Sequence, residues 1–170
     1  AFNGTTNLPG MTLRNYLQSR GIKFGENLNA YTAIDETVYM VTNVQTDIPG
    51  LVDTCLLILH DWSSFIALED AEIDNERGVI LEEERTTGGA NRRVMEQLLP
   101  KMYPGSPYGE RLPIGTREVI ANFSYQDIRD YYHKWYRPDL QGIIIIGDID
   151  VDAIEARIKE MFADIPAPVN

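Results

Sequence analysis

Four consecutive isoleucines between two glycines, in the stretch GIIIIGDID at 142–150, restrict the fold of this chain more than any other feature. Branching at Cβ stiffens each isoleucine and favours a pleated backbone over a helical one. Successive side chains on a strand point to opposite faces, so an unbroken apolar run predicts a strand over 142–149 that is buried on both faces. Such a strand needs a sheet around it and other layers above and below.

The remaining elements supply both. Residues 28–33 and 37–44 are rich in Thr, Tyr and Val around the polar pair Asp35 and Glu36, which predicts a β-hairpin. Helices are expected over 11–20, with Gly21 as C-cap, and over 51–62. An acidic helix follows over about 67–84. After a loop at 86–90 come helices at 91–101, 116–122, 125–135 with a Ser124 cap, and 152–162 behind an Asp150 cap. Residues 102–116 are too rich in Pro and Gly for regular structure. Hairpin, helices, strand and helix make an α+β layer rather than a strict βαβ alternation, and no linker or composition shift divides 1–170 into separate domains.

With 170 residues, 44% of them hydrophobic and 24% charged, the composition is that of a folded globular chain. A net charge of −11 argues against a nucleic-acid partner or an anionic membrane surface, and Arg92 with Arg93 is too small a patch to reverse that. No apolar run is long enough for membrane insertion. Cys55, alone in its type, lies in LVDTCLLIL as a small core residue and leaves the redox compartment open.

The stretch LEDAEIDNERGVILEE at 68–83 poses the chemical question. On a helical wheel Glu69, Glu72, Glu76 and Glu83 share an arc of roughly 140° with Leu68, Ile73, Val79 and Ile80, while Asp74, Arg77 and Arg85 lie on the solvated remainder. Burying unpaired carboxylates is costly, so the stripe calls for partners: arginines or lysines, backbone N–H groups, shared protons or a cation. A salt-bridge network, a metal or catalytic role and a merely amphipathic edge all satisfy that demand.

Other motifs are weaker. Asp148, Asp150 and Asp152 imitate the start of a calcium loop, but Ala153 stands where glycine is needed and Lys159 where a glutamate is. His60 and His133 have no second ligand at helical spacing and are expected to be packed or surface histidines. No nucleophile elbow, phosphate loop or dinucleotide fingerprint is present.

Taken in order, AFNGTTNLPG, LNAYTAIDETVYMV, ERGVILEE, PIGT and WYRPDLQGIIIIGDID resemble peptidase family M16, the inverted-motif zinc proteases that include pitrilysin, insulysin and mitochondrial processing peptidase. The likeness spans nearly the whole chain and is nearest to long bacterial cell-envelope members. It implies an α+β half with an antiparallel-dominated β-sheet and helices packed on one face, truncated at its N-terminus, forming one partial peptidase domain over 1–170. It also implies that the HxxEH helix would precede Ala1, that Glu76 is the third zinc ligand, and that Glu69 is the supporting acid of the catalytic site. Asn29, Ala30 and Thr32 match the strand motif onto which an extended peptide substrate is added. Without the two imidazoles and the general base, the chain alone is expected to be inactive and to bind zinc weakly or not at all. The implied partners are a peptide and a second homologous half, and the implied compartment is the bacterial periplasm or cell envelope. A non-catalytic M16 partner that clamps peptides is the alternative. Strands missing from the sheet would leave open edges, so self-association is expected.

Overall fold

The computed structural model describes residues 4–8, 15, 17–23 and 25–167. In chain order these form β1 (Leu28–Thr32), β2 (Thr37–Val41), α1 (Leu51–Ser64), α2 (Asp70–Thr87), α3 (Ala90–Met102), a 3₁₀ turn at Pro107–Gly109, α4 (Arg117–Asn122), α5 (Tyr125–Trp135), a second 3₁₀ turn at Pro138–Leu140, and α6 (Val151–Met161). The class is α+β, with a two-stranded antiparallel sheet made by the hairpin β1–β2. Two compact units result, one from Ala1–Asn29, Tyr39–Leu68 and Ile128–Asn170, the other from Ala30–Val38 and Glu69–Asp127.

The first unit is organised by α1. Leu51, Cys55, Ile58 and Trp62 recur at helical spacing and are buried together with Leu17, Ile22 and Leu28. Tyr39, Val41, Val44 and Ile66 pack on that cluster, and the Tyr39 ring lies 5.2 Å from that of Trp62. Helix α6 packs along α1, where Arg157 reaches Asp53 at 2.9 Å. Half of the helix expected over 11–20 falls outside the described residues. Its end does not: Gly21, at φ 82°, donates to Gln18 O, and Ile22 donates to Leu17 O, the paired bonds of a Schellman C-cap.

In the second unit α2 packs against α4 through Arg77. The short helix α4 starts at Thr116, whose hydroxyl accepts from Val119 N, and α5 starts with a reciprocal cap between Ser124 and Asp127. At the hairpin tip, Tyr108 donates to Asp35 at 2.8 Å.

Two expectations need correction. The acidic helix runs Asp70–Thr87, so it starts three residues later than predicted and absorbs part of the expected loop at 86–90. More important, the predicted strand over 142–149 does not form. Residues 141–146 carry no regular structure, and Ile144 and Ile146 are 83% and 91% exposed. Backbone pairing needs a neighbour, and no described strand lies beside this segment, so its intrinsic preference has nothing to act on.

Candidate functional site

Residues 65–69 lead the chain from α1 into α2. Phe65 to Leu68 are fixed on two sides within the first unit. On one side, Thr6 N donates to Phe65 O at 3.0 Å, Ala67 N donates to Gly4 O at 3.3 Å, and Thr5 bridges Ile66 in antiparallel fashion. On the other, α5 contributes Tyr132, whose hydroxyl accepts from Ile66 N, and Arg129, whose guanidinium donates to Leu68 O at 2.8 Å. Leu68 is left-handed at φ 47°, a conformation that costs a branched or bulky residue about 1–2 kcal/mol.

Directly after this kink stands Glu69, extended at φ −67° and ψ 140°, as the N-cap of α2. Its carbonyl receives the first amides of the helix, from Glu72 and Ile73. Glu69 therefore sits ahead of the first turn rather than within the helix as expected.

The wheel of α2 is rotated from the sequence reading. Ile73, Arg77, Ile80 and Glu84 form the packed stripe, at helical spacing. Arg77 donates to the carbonyls of Ile120 at 2.6 Å and Phe123 at 3.0 Å, and its guanidinium lies 3.8 Å from the centre of the Phe123 ring. Glu84 pairs with Arg92 and Arg117 at 3.3 Å each. Asp74 accepts from the Tyr125 hydroxyl. Arg77, predicted to be solvated, is thus the residue that joins α2 to the end of α4. Glu69, Glu76 and Glu83, predicted to face inward, are exposed alongside Val79, which is 57% accessible. Neither Glu69 nor Glu76 makes a side-chain hydrogen bond or ion pair with another described residue. A five-donor side chain satisfies the orphan carbonyls at a helix end, which an aliphatic residue cannot do, and this decides the rotation.

On β1, Asn29 and Thr32 are exposed and Ala30 is half-buried. The Thr32 hydroxyl lies 3.3 Å from that of Thr37. Among the described residues β1 has one strand neighbour, β2, on one edge.

The histidines offer no metal site. His60 is buried; its Nδ1 lies 3.0 Å from Asp61 Oδ1 and its Nε2 2.8 Å from Asp164 Oδ1, while the ring stacks on Phe65 and meets Phe162 edge-on. Both ring nitrogens are therefore committed. His133 is exposed on α5. Among the described residues no group of three or more His, Cys, Asp or Glu side chains could hold a metal ion, so these residues by themselves do not fit zinc.

Sequence reasoning missed the network around Asp61. That carboxylate is fully buried, accepts from Thr5 Oγ1 at 2.5 Å and Asn7 Nδ2 at 2.9 Å, and lies 3.0 Å from His60 Nδ1. The signal was present: an aspartate interrupts the apolar run LLILHDW.

Comparison with known proteins gives this geometry its family. The model of Insulinase (Peptidase family M16) matches residues 1–113, and that of the Peptidase M16 inactive domain matches 122–169. The chain belongs to peptidase family M16. This M16 chain is 36% identical over 166 residues to "Probable zinc protease PqqL" of Escherichia coli strain K12, covering 98% of the chain and 18% of that protein. The crystal structure of the first half of the periplasmic protease PqqL from Escherichia coli superposes with a TM-score of 0.88 at 34% identity, covering 99% of this chain and 36% of that one. Cytochrome b-c1 complex subunit 1 of Rattus norvegicus mitochondria is 31% identical over 166 residues, covering 97% of the chain and 33% of that subunit. The M16 chain thus spans about a fifth of the zinc protease it matches. No described helix is long and apolar enough to cross a membrane.

Proposed function

We propose that the protein to which these residues belong is a zinc-dependent metalloendopeptidase, and that 1–170 forms one partial M16 peptidase domain of it. The observation that carries the reading is the family match across 1–113, which includes both the segment 4–8 and the ER pair Glu76 and Arg77. On this reading Glu76 is a zinc ligand and Glu69 the acid that supports it at the helix start. Their exposure suits carboxylates whose partners lie outside the described residues. The 170-residue chain alone is inactive, because it offers one carboxylate where zinc needs a set of ligands. An extended peptide substrate pairs along β1 past Asn29, Ala30 and Thr32, gaining affinity from backbone hydrogen bonds with little demand on side-chain identity. The further partner is a second homologous M16 half, and the compartment is the bacterial periplasm or cell envelope, as for the PqqL relative.

A second reading, a non-catalytic M16 subunit or half that clamps peptides, draws its support from a relative named as a subunit of the cytochrome b-c1 complex rather than as a protease. Zinc titration separates the two. The intact protein is expected to bind zinc and cleave an unstructured peptide, and Glu76→Gln to weaken zinc binding by about tenfold or more, with hydrolysis lost. Unchanged zinc affinity in that variant removes Glu76 from the ligand set. Peptide binding without zinc or hydrolysis in the intact protein establishes the clamp.

A further inference from the structure

Asp61 is fully buried near the C-terminal end of α1, yet its hydrogen-bond partners include residues 54 and 56 positions away. Thr5 donates its hydroxyl to Oδ2 and Asn7 its amide to Oδ1, while His60 Nδ1 shares Oδ1 and is tied in turn to Asp164 through Nε2. The Thr5 hydroxyl also accepts from Leu8 N at 3.1 Å, which closes a turn over 5–8. A buried carboxylate is a poor way to gain stability, since well-packed apolar groups of similar size do as well or better; what it supplies is a single satisfied arrangement. The arrangement selected here sets the antiparallel register of segment 4–8 against the connector 65–67, through the Thr5–Ile66 bridge and the bonds of Thr6 N and Ala67 N.

We propose that Asp61 is a positioning residue that locks segment 4–8 onto the connector leading into Glu69 and α2. A slip of one residue along this short pairing would turn each side chain to the opposite face and redirect whatever chain enters residue 4. The catalytic consequence rests on the zinc-peptidase reading, in which Glu76 is a ligand carried by the helix that this connector leads into. The register lock itself stands without that reading.

Two measurements test the lock and its consequence separately. In the 170-residue chain, amide hydrogen exchange is followed in Thr5→Val, Thr5→Ser and Asp61→Asn. Loss of a hydrogen bond to a buried charge should speed exchange at the Thr6 and Ala67 amides by about tenfold or more in Thr5→Val and Asp61→Asn. The amides of Ile58 and Leu59 should stay within about twofold, and Thr5→Ser, which keeps the hydroxyl, should behave as the parent. Uniform acceleration at all four amides, or none at Thr6 and Ala67, overturns the lock. In the intact protease, Thr5→Val should lower kcat by about tenfold with KM within about twofold and weaken zinc binding, with Thr5→Ser restoring both. Unchanged kcat and zinc affinity in Thr5→Val, in a protein that Glu76→Gln inactivates, removes the catalytic consequence. An intact protein whose zinc binding ignores Glu76→Gln removes the zinc reading and leaves the exchange result standing.

Discussion

Cys55 illustrates how a single residue's chemistry follows from its place in the core. It sits on the buried stripe of α1, and burial pushes its thiol up to about 11. At pH 8 only about a thousandth of the thiol is then ionised in the native chain, and the thiolate is the reactive form. Iodoacetamide at pH 8 should leave Cys55 unmodified in the folded protein and alkylate it readily in denaturant; rapid native labelling, read by mass spectrometry, would show the site to be open. The sign of the pH effect follows. The folded thiol keeps its proton when the unfolded one loses it, so this contribution to stability is whole below about 9 and declines as pH rises towards about 11. The apolar surroundings of Cys55 were visible in the sequence because LVDTCLLIL is a local pattern. Asp61 was not, because its hydrogen-bond partners Thr5 and Asn7 are remote in the chain.

At the scale of elements, local chemistry placed the caps and the hairpin well. Ser124 caps α5, the Asp150 carboxylate accepts from Ala153 N at the start of α6, Gly21 takes the left-handed C-cap conformation, and the chain turns between β1 and β2 at 33–36. The orientation of α2 was not legible, since hydrophobicity alone put Arg77 in solvent. Substitution separates the two faces of this helix. Arg77→Ala leaves the carbonyls of Ile120 and Phe123 without their donors and should cost ~2 kcal/mol. Glu76→Gln, on the exposed face, should change stability by no more than ~0.5 kcal/mol. Urea unfolding followed by circular dichroism measures both. Equal effects would mean that the packed stripe has been assigned to the wrong side of α2.

For the whole molecule, the exposed run at 142–147 governs behaviour in solution. Ile144 and Ile146 stand in water on a segment without regular structure and with no described strand beside it, and an apolar run left unpaired in this way can recruit another chain. The 170-residue chain should therefore self-associate as concentration rises, and Ile144→Lys with Ile146→Lys should shift it towards monomer with little change in its thermal midpoint, because the replaced side chains are already exposed. Light scattering across a concentration series decides; a parental chain that stays monomeric at high concentration counts against pairing through this segment.

The division between what was legible and what was not has a physical cause. The caps at Gly21, Ser124 and Asp150, the hairpin and the family-like stretches are set by residues within a few positions of one another, so they could be read from the chain directly. Which face of α2 packs, whether four isoleucines become a strand, and why an aspartate is buried in α1 depend on groups brought together from distant parts of the chain: the carbonyl end of α4, a neighbouring strand, the hydroxyl of Thr5. Those were settled by packing in the folded chain, because a side chain's best environment is the one its neighbours leave unsatisfied.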